Sequence, residues 1–468
     1  MTETIAVAAV GTLAGAIEGL RVAAVYLFSF LAALCILIFV HEFGHFIVAR
    51  LLGVGVTKFS FGFGPRIAGI RRGETEYLVS AIPLGGYVKL VGESEGEEVP
   101  PEQAARSFWR KPARVKMAVV FAGPLGNLVF ALLVFWAVFI WGFPALTARI
   151  DVLPGSPAAA AGLATGDVVT RVGNVPVASW DDLDGLVREG KPGAPIVVAV
   201  RRGSEEIAAT VVPKSVEARN EFGQAVLETG IGVRPFVAPR INEVVAGSPA
   251  ARAGLAKGDV VRRVGSRAVA TWEELAGGIR ESKPGEPLVL VVSRGGRELP
   301  VSVVPEMHEG KGPDGRTVRE ARIGIVPGPE TEMQRFSPPK AIVKAAEKTW
   351  YLVSLTAEVV VKLVTRVVPA KSLGGPILIA QIAGAQAQQG LHDFLMFLGL
   401  LSVNLAILNL LPIPILDGGH ILFFLIEAVR RKPLSLQARA MAQQVGLALI
   451  LMLVALVFYN DIVRLIGG

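Results

Sequence analysis

Residues 22–50 read VAAVYLFSFLAALCILIFV, then His41-Glu42-Phe43-Gly44-His45, then FIVAR to Arg50. Only His, Glu, Gly and His interrupt about 28 apolar residues, and a helix rising 1.5 Å per residue needs about 20 to cross roughly 30 Å of hydrocarbon. The polar triplet therefore lies one to two turns inside the Arg50 end of a membrane-spanning helix. Ionisable groups at that depth are costly and persist where they line a cavity or hold something. On a helix His41 and His45 stand one turn apart on the same face, so both reach one ion at the zinc–imidazole distance of about 2.0–2.1 Å. Glu42 neighbours the pair and is placed to take a proton from water instead of ligating. Gly44 removes bulk beside the ion, which suits an approaching peptide and equally suits close helix packing.

The whole chain of 468 residues has a mean hydropathy of +0.52 and 52% hydrophobic residues, too apolar for one soluble protein of ordinary surface. The apolarity is concentrated in residues 22–49, about 115–141, about 391–412 and about 443–460, each of membrane length. Roughly 250 residues between the second and third stretches have ordinary soluble composition. A net charge of +7 and a pI near 9.5 raise the question of nucleic acid, but the basic residues cluster at membrane edges. Residues 50–116 hold eleven Lys/Arg against seven Glu, and Arg430, Arg431, Lys432 and Arg439 lie before the last span. The positive-inside rule puts both segments on the cytoplasmic face, so the partner implied is a lipid bilayer and not nucleic acid. Four spans then place the N-terminus, residues 142–390 and the C-terminus on the other side.

The first twenty residues lack a basic n-region and a clear cleavage site, so the first span is expected to insert and stay. Their Ala/Gly/Val composition is open to a surface helix or a disordered tail. Cys35 is the only cysteine and lies in the first span, so the large extracytoplasmic segment is expected to hold together by packing alone. The acidic run Glu93, Glu95, Glu97, Glu98 reads as solvated surface rather than as a metal site.

The soluble segment repeats itself. Gly155-Ser156-Pro157-Ala158 recurs as Gly247-Ser248-Pro249-Ala250, Gly166-Asp167 as Gly258-Asp259, Trp180 as Trp272, Arg202-Gly203 as Arg294-Gly295, and Ile231-Gly232 as Ile323-Gly324, every time at an offset of 92. Each copy has β-type runs, such as Val168–Val172, Pro195–Val200 and Ile207–Val212, and a helical piece opening at Trp180. Turns at Gly173-Asn174 and Arg201-Arg202-Gly203-Ser204 supply hairpin connections. A small, partly open β-structure with one or two helices, present twice, fits this pattern.

Catalytic zinc takes three protein ligands and leaves one position open. Neither His308, in the polar stretch after the second repeat, nor His392, at the far end of the third span, is well placed to be the third. The third span ends in Asn404-Leu-Ala-Ile-Leu-Asn409-Leu-Leu-Pro412-Ile-Pro414-Ile-Leu-Asp417-Gly418-Gly419-His420. Two prolines and a glycine pair break the helix at membrane depth, which is tolerated where a polar site is lined. Span parity levels Asp417 with His45, so Asp417 is the expected third ligand. His420, three residues on, is the rival, or else orients the site from behind. Asn409 and Asn404 are polar groups left facing inward, candidates to hydrogen-bond a developing oxyanion or a substrate backbone.

Together the His-Glu-Phe-Gly-His motif, Asn409-xx-Pro-x-Pro-xx-Asp417-Gly and two intervening repeats resemble the site-2 protease family of intramembrane zinc metalloproteases, from residue 22 to the C-terminus. The repeats, about 147–235 and 239–327, resemble the PDZ domain in its bacterial circularly permuted form. The resemblance implies one Zn2+ held by His41, His45 and Asp417, Glu42 as general base and Asn409 as an assistant in substrate binding. It implies a substrate that is a single-span membrane protein such as an anti-sigma factor, cut after a first periplasmic cleavage, with remnant signal peptides as a second class. The PDZ domains either bind a peptide or C-terminus or act as a spacer or steric gate.

Residues 58–90, with Phe61-Gly-Phe-Gly-Pro65 and Ala81-Ile-Pro-Leu-Gly85-Gly86-Tyr87-Val-Lys89, are similar to the family's membrane-associated β-hairpin, which meets an unwound substrate by strand addition; an ordinary cytoplasmic hairpin is the other reading. Gly123-Pro124-Leu-Gly-Asn127 matches a further family motif, with Asn127 serving either the substrate site or packing. The implied fold is a multi-pass α-helical bacterial inner-membrane protein with four transmembrane helices, a membrane-associated β-hairpin region and two tandem circularly permuted PDZ domains. The implied order is an extension 1–21, helix 22–50, hairpin region 51–114, helix 115–141, PDZ domains 146–237 and 238–329, a periplasmic linker with interfacial helices 330–390, the broken helix 391–424, a cytoplasmic loop 425–442 and helix 443–465. Two other function classes are a non-catalytic scaffold that binds partners through its repeats and a transporter, the latter disfavoured because no inverted repeat is evident.

Overall fold

The computed structural model describes residues 2–93, 98–219, 224–311 and 317–467. Glu95 and Glu97 of the acidic run lie outside them. The chain divides into two units, residues 1–142 with 335–468, and residues 143–334. Among the described residues four helices are long and apolar enough to cross a membrane: Gly19–Leu51, Ala113–Trp141, Leu391–Asn409 and Leu436–Ile466.

Helix α1 runs from Thr2 to Leu51, so the extension continues the helix of the first span. Apolar side chains such as Leu27, Phe28, Ile36 and Phe39 stand exposed along it, as lipid contact requires. Strand β1 (Val56–Arg72) and strand β2 (Thr75–Leu90) are long and bent, and they form more than a hairpin. Phe59 pairs with Val88 on one side and with Tyr77 on the other, while Ile70 also pairs with Tyr77. Residues 56–61 are therefore central, and 86–90 form an outer edge.

Helix α2 (Ala113–Trp141) crosses α1 closely, because small residues meet there: a Cβ on Gly44 would stand 2.2 Å from the Ala122 carbonyl oxygen. Such approach gives dispersion contact between helices that gain no hydrophobic drive from lipid. A small core of Ala49, Val54, Val56, Leu90, Phe108, Val119 and Phe424 ties the sheet to the helices at this end.

Unit 143–334 contains two copies of one module. In the first, helices α3 (Pro157–Ala160) and α4 (Trp180–Glu189) accompany a four-stranded antiparallel sheet in the order 175–176, 168–172, 196–202, 205–211. In the second, α5 (Pro249–Arg252) and α6 (Trp272–Arg280) accompany the order 267–268, 260–264, 288–294, 297–303. The cores correspond position by position: Val169, Leu183, Val198, Val200, Val211 and Ile231 in one, Val261, Leu275, Leu290, Val292, Val303 and Ile323 in the other. Burying each contributes about 1.5–3 kcal/mol. Local devices repeat too. Ser156 Oγ caps α3 by accepting from the Ala159 N–H, and Ser248 does the same for Ala251 in α5. Arg202 grips the buried Asp167 through Nε and Nη2, both at 2.8 Å, and Arg294 grips Asp259 at 2.7 Å through both.

The remaining helices are α7 (Pro338–Val364), α8 (Pro376–Gln389), α9 (Leu391–Asn409), α10 (Asp417–Arg430) and α11 (Leu436–Gly467). Helix α9 packs on α2 through Gly399, where a Cβ would meet the Phe135 ring at 2.6 Å. The Pro412 and Pro414 stretch breaks the chain between α9 and α10, as expected from its missing donors. Gly418 and Gly419 let α10 start directly against that break, since a Cβ on either would stand 2.3 Å from a carbonyl of Leu410 or Ile413.

Candidate metal centre

Three helices bring the site together. The one-turn spacing in α1 sets His41 and His45 side by side, with their Nε2 atoms 3.3 Å apart. The break after α9 returns the chain so that Asp417 occupies the first turn of α10, where the positive end of the helix dipole favours a carboxylate. Its Oδ2 lies 3.1 Å from His41 Nε2 and its Oδ1 3.7 Å from His45 Nε2. Helix α2 supplies the space: a Cβ on Gly123 would stand 2.3 Å from His45 Nε2 and 2.8 Å from His41 Cε1. From the preceding turn of α2 the Val119 carbonyl accepts His45 Nδ1–H at 2.8 Å.

The donor set fits zinc. His41, His45 and Asp417 are the group of three metal-ligating residue types whose ligand atoms all lie within 4.8 Å of one another among the described residues. A tetrahedral ion with bonds of about 2.0–2.1 Å sets its ligand atoms about 3.3–3.4 Å apart, close to the separations found. With its Nδ1 proton given to Val119, His45 turns an Nε2 lone pair inward. Asp417 Oδ2 is buried and makes no hydrogen bond. Lone pairs converging without a proton to share are satisfied by a cation.

The other expected residues divide. Glu42, Tyr87, Val88 and His420 line, with the three ligating residues, a cavity of about 720 Å³. Gly86 lies on the Glu42 side, its Cβ position 3.4 Å from Glu42 Cγ, while Gly85 packs against the Phe63 ring. Asn409 Nδ2 is 3.5 Å from His41 Nε2, so the end of α9 borders the site. Asn404 does not line this cavity; its Oδ1 accepts from Thr356 Oγ1 of α7 at 2.8 Å. Asn127 is fully buried and contacts His41 from behind, its Nδ2 3.3 Å from Nδ1.

His308 sits in a strand of unit 143–334 paired with Glu320, and His392 in the first turn of α9; neither joins the group. Residues the sequence did not single out also contribute. The Val119 carbonyl leaves no trace in residue type. Trp109, Arg439 and Gln443 form the outer cavity wall, the Arg439 guanidinium 4.3 Å from the Trp109 ring and paired with Glu427. Of these three only Arg439 had a sequence signal, as one of the basic residues before the last span.

The family model of peptidase family M50 matches residues 29–453. The chain belongs to peptidase family M50. M50 membership is echoed by relatives: the regulator of sigma-E protease RseP of Salmonella typhimurium is 36% identical over 457 residues, covering 93% of this chain and 98% of its own. Protease RseP of Yersinia pestis is 37% identical over 448 residues, with the same coverage. The regulator of sigma-E protease RseP of Escherichia coli K12 is 35% identical over 456 residues, again covering 93% and 98%. The site-2 protease resemblance is thus confirmed. This M50 chain is a multi-pass inner-membrane zinc metalloprotease, with a His41-His45-Asp417 group suited to one Zn2+.

Proposed function

We propose that the protein is an intramembrane endopeptidase that cuts single-span membrane proteins near the cytoplasmic face, in which His41, His45 and Asp417 hold one zinc ion and Glu42 is the general base. The convergence of Asp417 on the two histidines inside a helix bundle of membrane length carries this reading. Zinc, when bound, acts as a Lewis acid that makes water nucleophilic near neutral pH and polarises a peptide carbonyl. Glu42, on the cavity wall beside the two histidines, accepts the water proton and returns it to the leaving amine. Asn409, bordering His41, donates its amide N–H to the carbonyl oxygen as negative charge develops.

A transmembrane helix hides its carbonyls in i→i−4 bonds, so substrate must unwind locally before it is cut. The outer edge 86–90 of β2 borders the cavity through Tyr87 and Val88 and offers backbone partners to the unwound segment. The basic clusters at 50–116 and 428–440 support a cytoplasmic site. By the same parity unit 143–334 is extracytoplasmic, and its duplicated module with Ser-capped Gly-Ser-Pro-Ala turns supports a PDZ pair. That pair screens or docks the substrate's extracytoplasmic part, either by taking a C-terminus as an added strand or by excluding bulk until a first protease has trimmed it. The relatives' names point to a regulator of sigma-E, so a trimmed single-span anti-sigma factor is the substrate class, with remnant signal peptides as a second.

Co-expression of the chain with a truncated single-span substrate is the test. The native chain releases a cytoplasmic fragment, whereas Glu42→Gln retains zinc and leaves the substrate intact. Cleavage by Glu42→Gln at the native rate would sink the catalytic reading and leave the non-catalytic scaffold.

A further inference from the structure

Asn127 is 0% exposed, and while its amide nitrogen lies 3.3 Å from His41 Nδ1, its Oδ1 is buried without a hydrogen-bond partner. The oxygen and nitrogen of an asparagine amide exchange places on a half-turn, so the proton on the neighbouring ring decides which atom faces it. A histidine that ligates through Nε2 keeps its proton on Nδ1 and passes it to an acceptor behind. With His41 Nε2 pointed at Asp417, its Nδ1 is such a donor, and an amide NH2 opposite it would set two donors face to face. The half-turn that places Oδ1 opposite Nδ1–H removes that conflict and pairs the orphaned oxygen.

We infer that Asn127 is the positioning residue of His41: its Oδ1 accepts the Nδ1–H bond and fixes the tautomer and ring plane that aim Nε2 at the zinc position. This rests on the metal centre described under the proposed function. His45 has the matching arrangement, with the Val119 carbonyl as acceptor at 2.8 Å, so α2 supplies the outer partner of both imidazoles. Gly123 and Asn127 stand one turn apart on the face of α2 turned to α1; the first makes room for the rings and the second holds one. Ser402 Oγ of α9 donates to the Asn127 backbone carbonyl at 2.8 Å, so the turn bearing Asn127 is anchored to the helix that leads to Asp417. A direct substrate contact for Asn127 is disfavoured, because the side chain is sealed from solvent and absent from the cavity wall.

The full chain is purified in detergent as the native sequence, Asn127→Leu and Asn127→Asp, and zinc affinity is read by competition with a chelator of known strength. Asn127→Leu, which fills the space and accepts nothing, weakens zinc binding by about 10–100-fold and alters the d–d spectrum of the Co2+-loaded protein. Asn127→Asp keeps an acceptor in place and restores binding to within a few-fold of native. Native affinity in the Leu variant overturns the inference alone, and so does an Asp variant as weak as the Leu variant. A native chain that takes up no zinc removes the metal centre and the inference with it. The native protein also answers without any variant: 15N-imidazole NMR of the zinc-loaded chain shows His41 bound through Nε2 with a protected Nδ1–H, and ligation through Nδ1 would overturn the assignment.

Discussion

Asp417 Oδ2 lies 3.1 Å from His41 Nε2, which joins the first turn of α10 to the interior of the first span. Since that carboxylate supplies the only negative charge among the three ligating groups, Asp417→Asn is expected to cost more zinc affinity than the roughly 10–100-fold lost with an outer contact. Metal content of the purified variant checks this. Near-native zinc in Asp417→Asn, with zinc lost in His420→Gln, would transfer the third ligand to His420.

Removal of the metal separates the two units. Chelation should abolish cleavage and zinc should restore it, while unfolding of residues 143–334 stays unchanged, because both module cores are apolar side chains without a metal-ligating group. Calorimetry with and without chelator reads both arms. A transition of the duplicated modules that shifts with chelator would show a metal dependence their cores do not explain.

Gly123 tests the room that α2 leaves for the rings. Alanine there puts a methyl group 2.3 Å from the present position of His45 Nε2, and the ring cannot yield without leaving the ligand geometry. Gly123→Ala should therefore retain helical content yet lose zinc and cleavage together. Gly185→Ala, at an open position of α4, should change neither and serves as the control.

The duplicated modules carry a pH signature. Asp259 is held below the ordinary carboxylate range by the Arg294 bonds, against burial, with help from the Ala256 N–H. At Asp167 burial pushes upward, but Arg202 and the Ala164 N–H outweigh it and the result is again depressed. A depressed folded value gives stability that is present above the unfolded carboxylate pKa of about 3.9 and lost as pH falls through the lower folded value. Asp259→Asn should lower the unfolding temperature of residues 143–334 at pH 7 and flatten its fall below about pH 4. A variant that melts like the native chain at both pH values would remove the pair from the stability of the fold.

Much of this protein was legible locally. The four-residue histidine spacing is one helical turn, so His41, Glu42 and His45 declare a site before any fold is known. The proline pair and Gly418-Gly419 announce a break, and the break makes Asp417 a ligand candidate. The offset of 92 reappears as paired cores, paired serine caps and paired Asp–Arg clamps.

What was not legible depends on contacts between distant segments. Asn404 and Asn127 are alike on paper, polar groups in apolar helices, yet one is bonded to Thr356 and the other backs His41. The edge of β2 beside Glu42 arises because residues 56–61 are paired on both sides, which no hairpin pattern announces.

The sequence by itself determined the membrane spans, the duplication and the chemistry available, because period and residue type are properties of short stretches. Only the tertiary structure decided which lone pairs converge, since that depends on how closely glycine-lined helices approach. Close approach is a fact about two surfaces, and each stretch of sequence describes one.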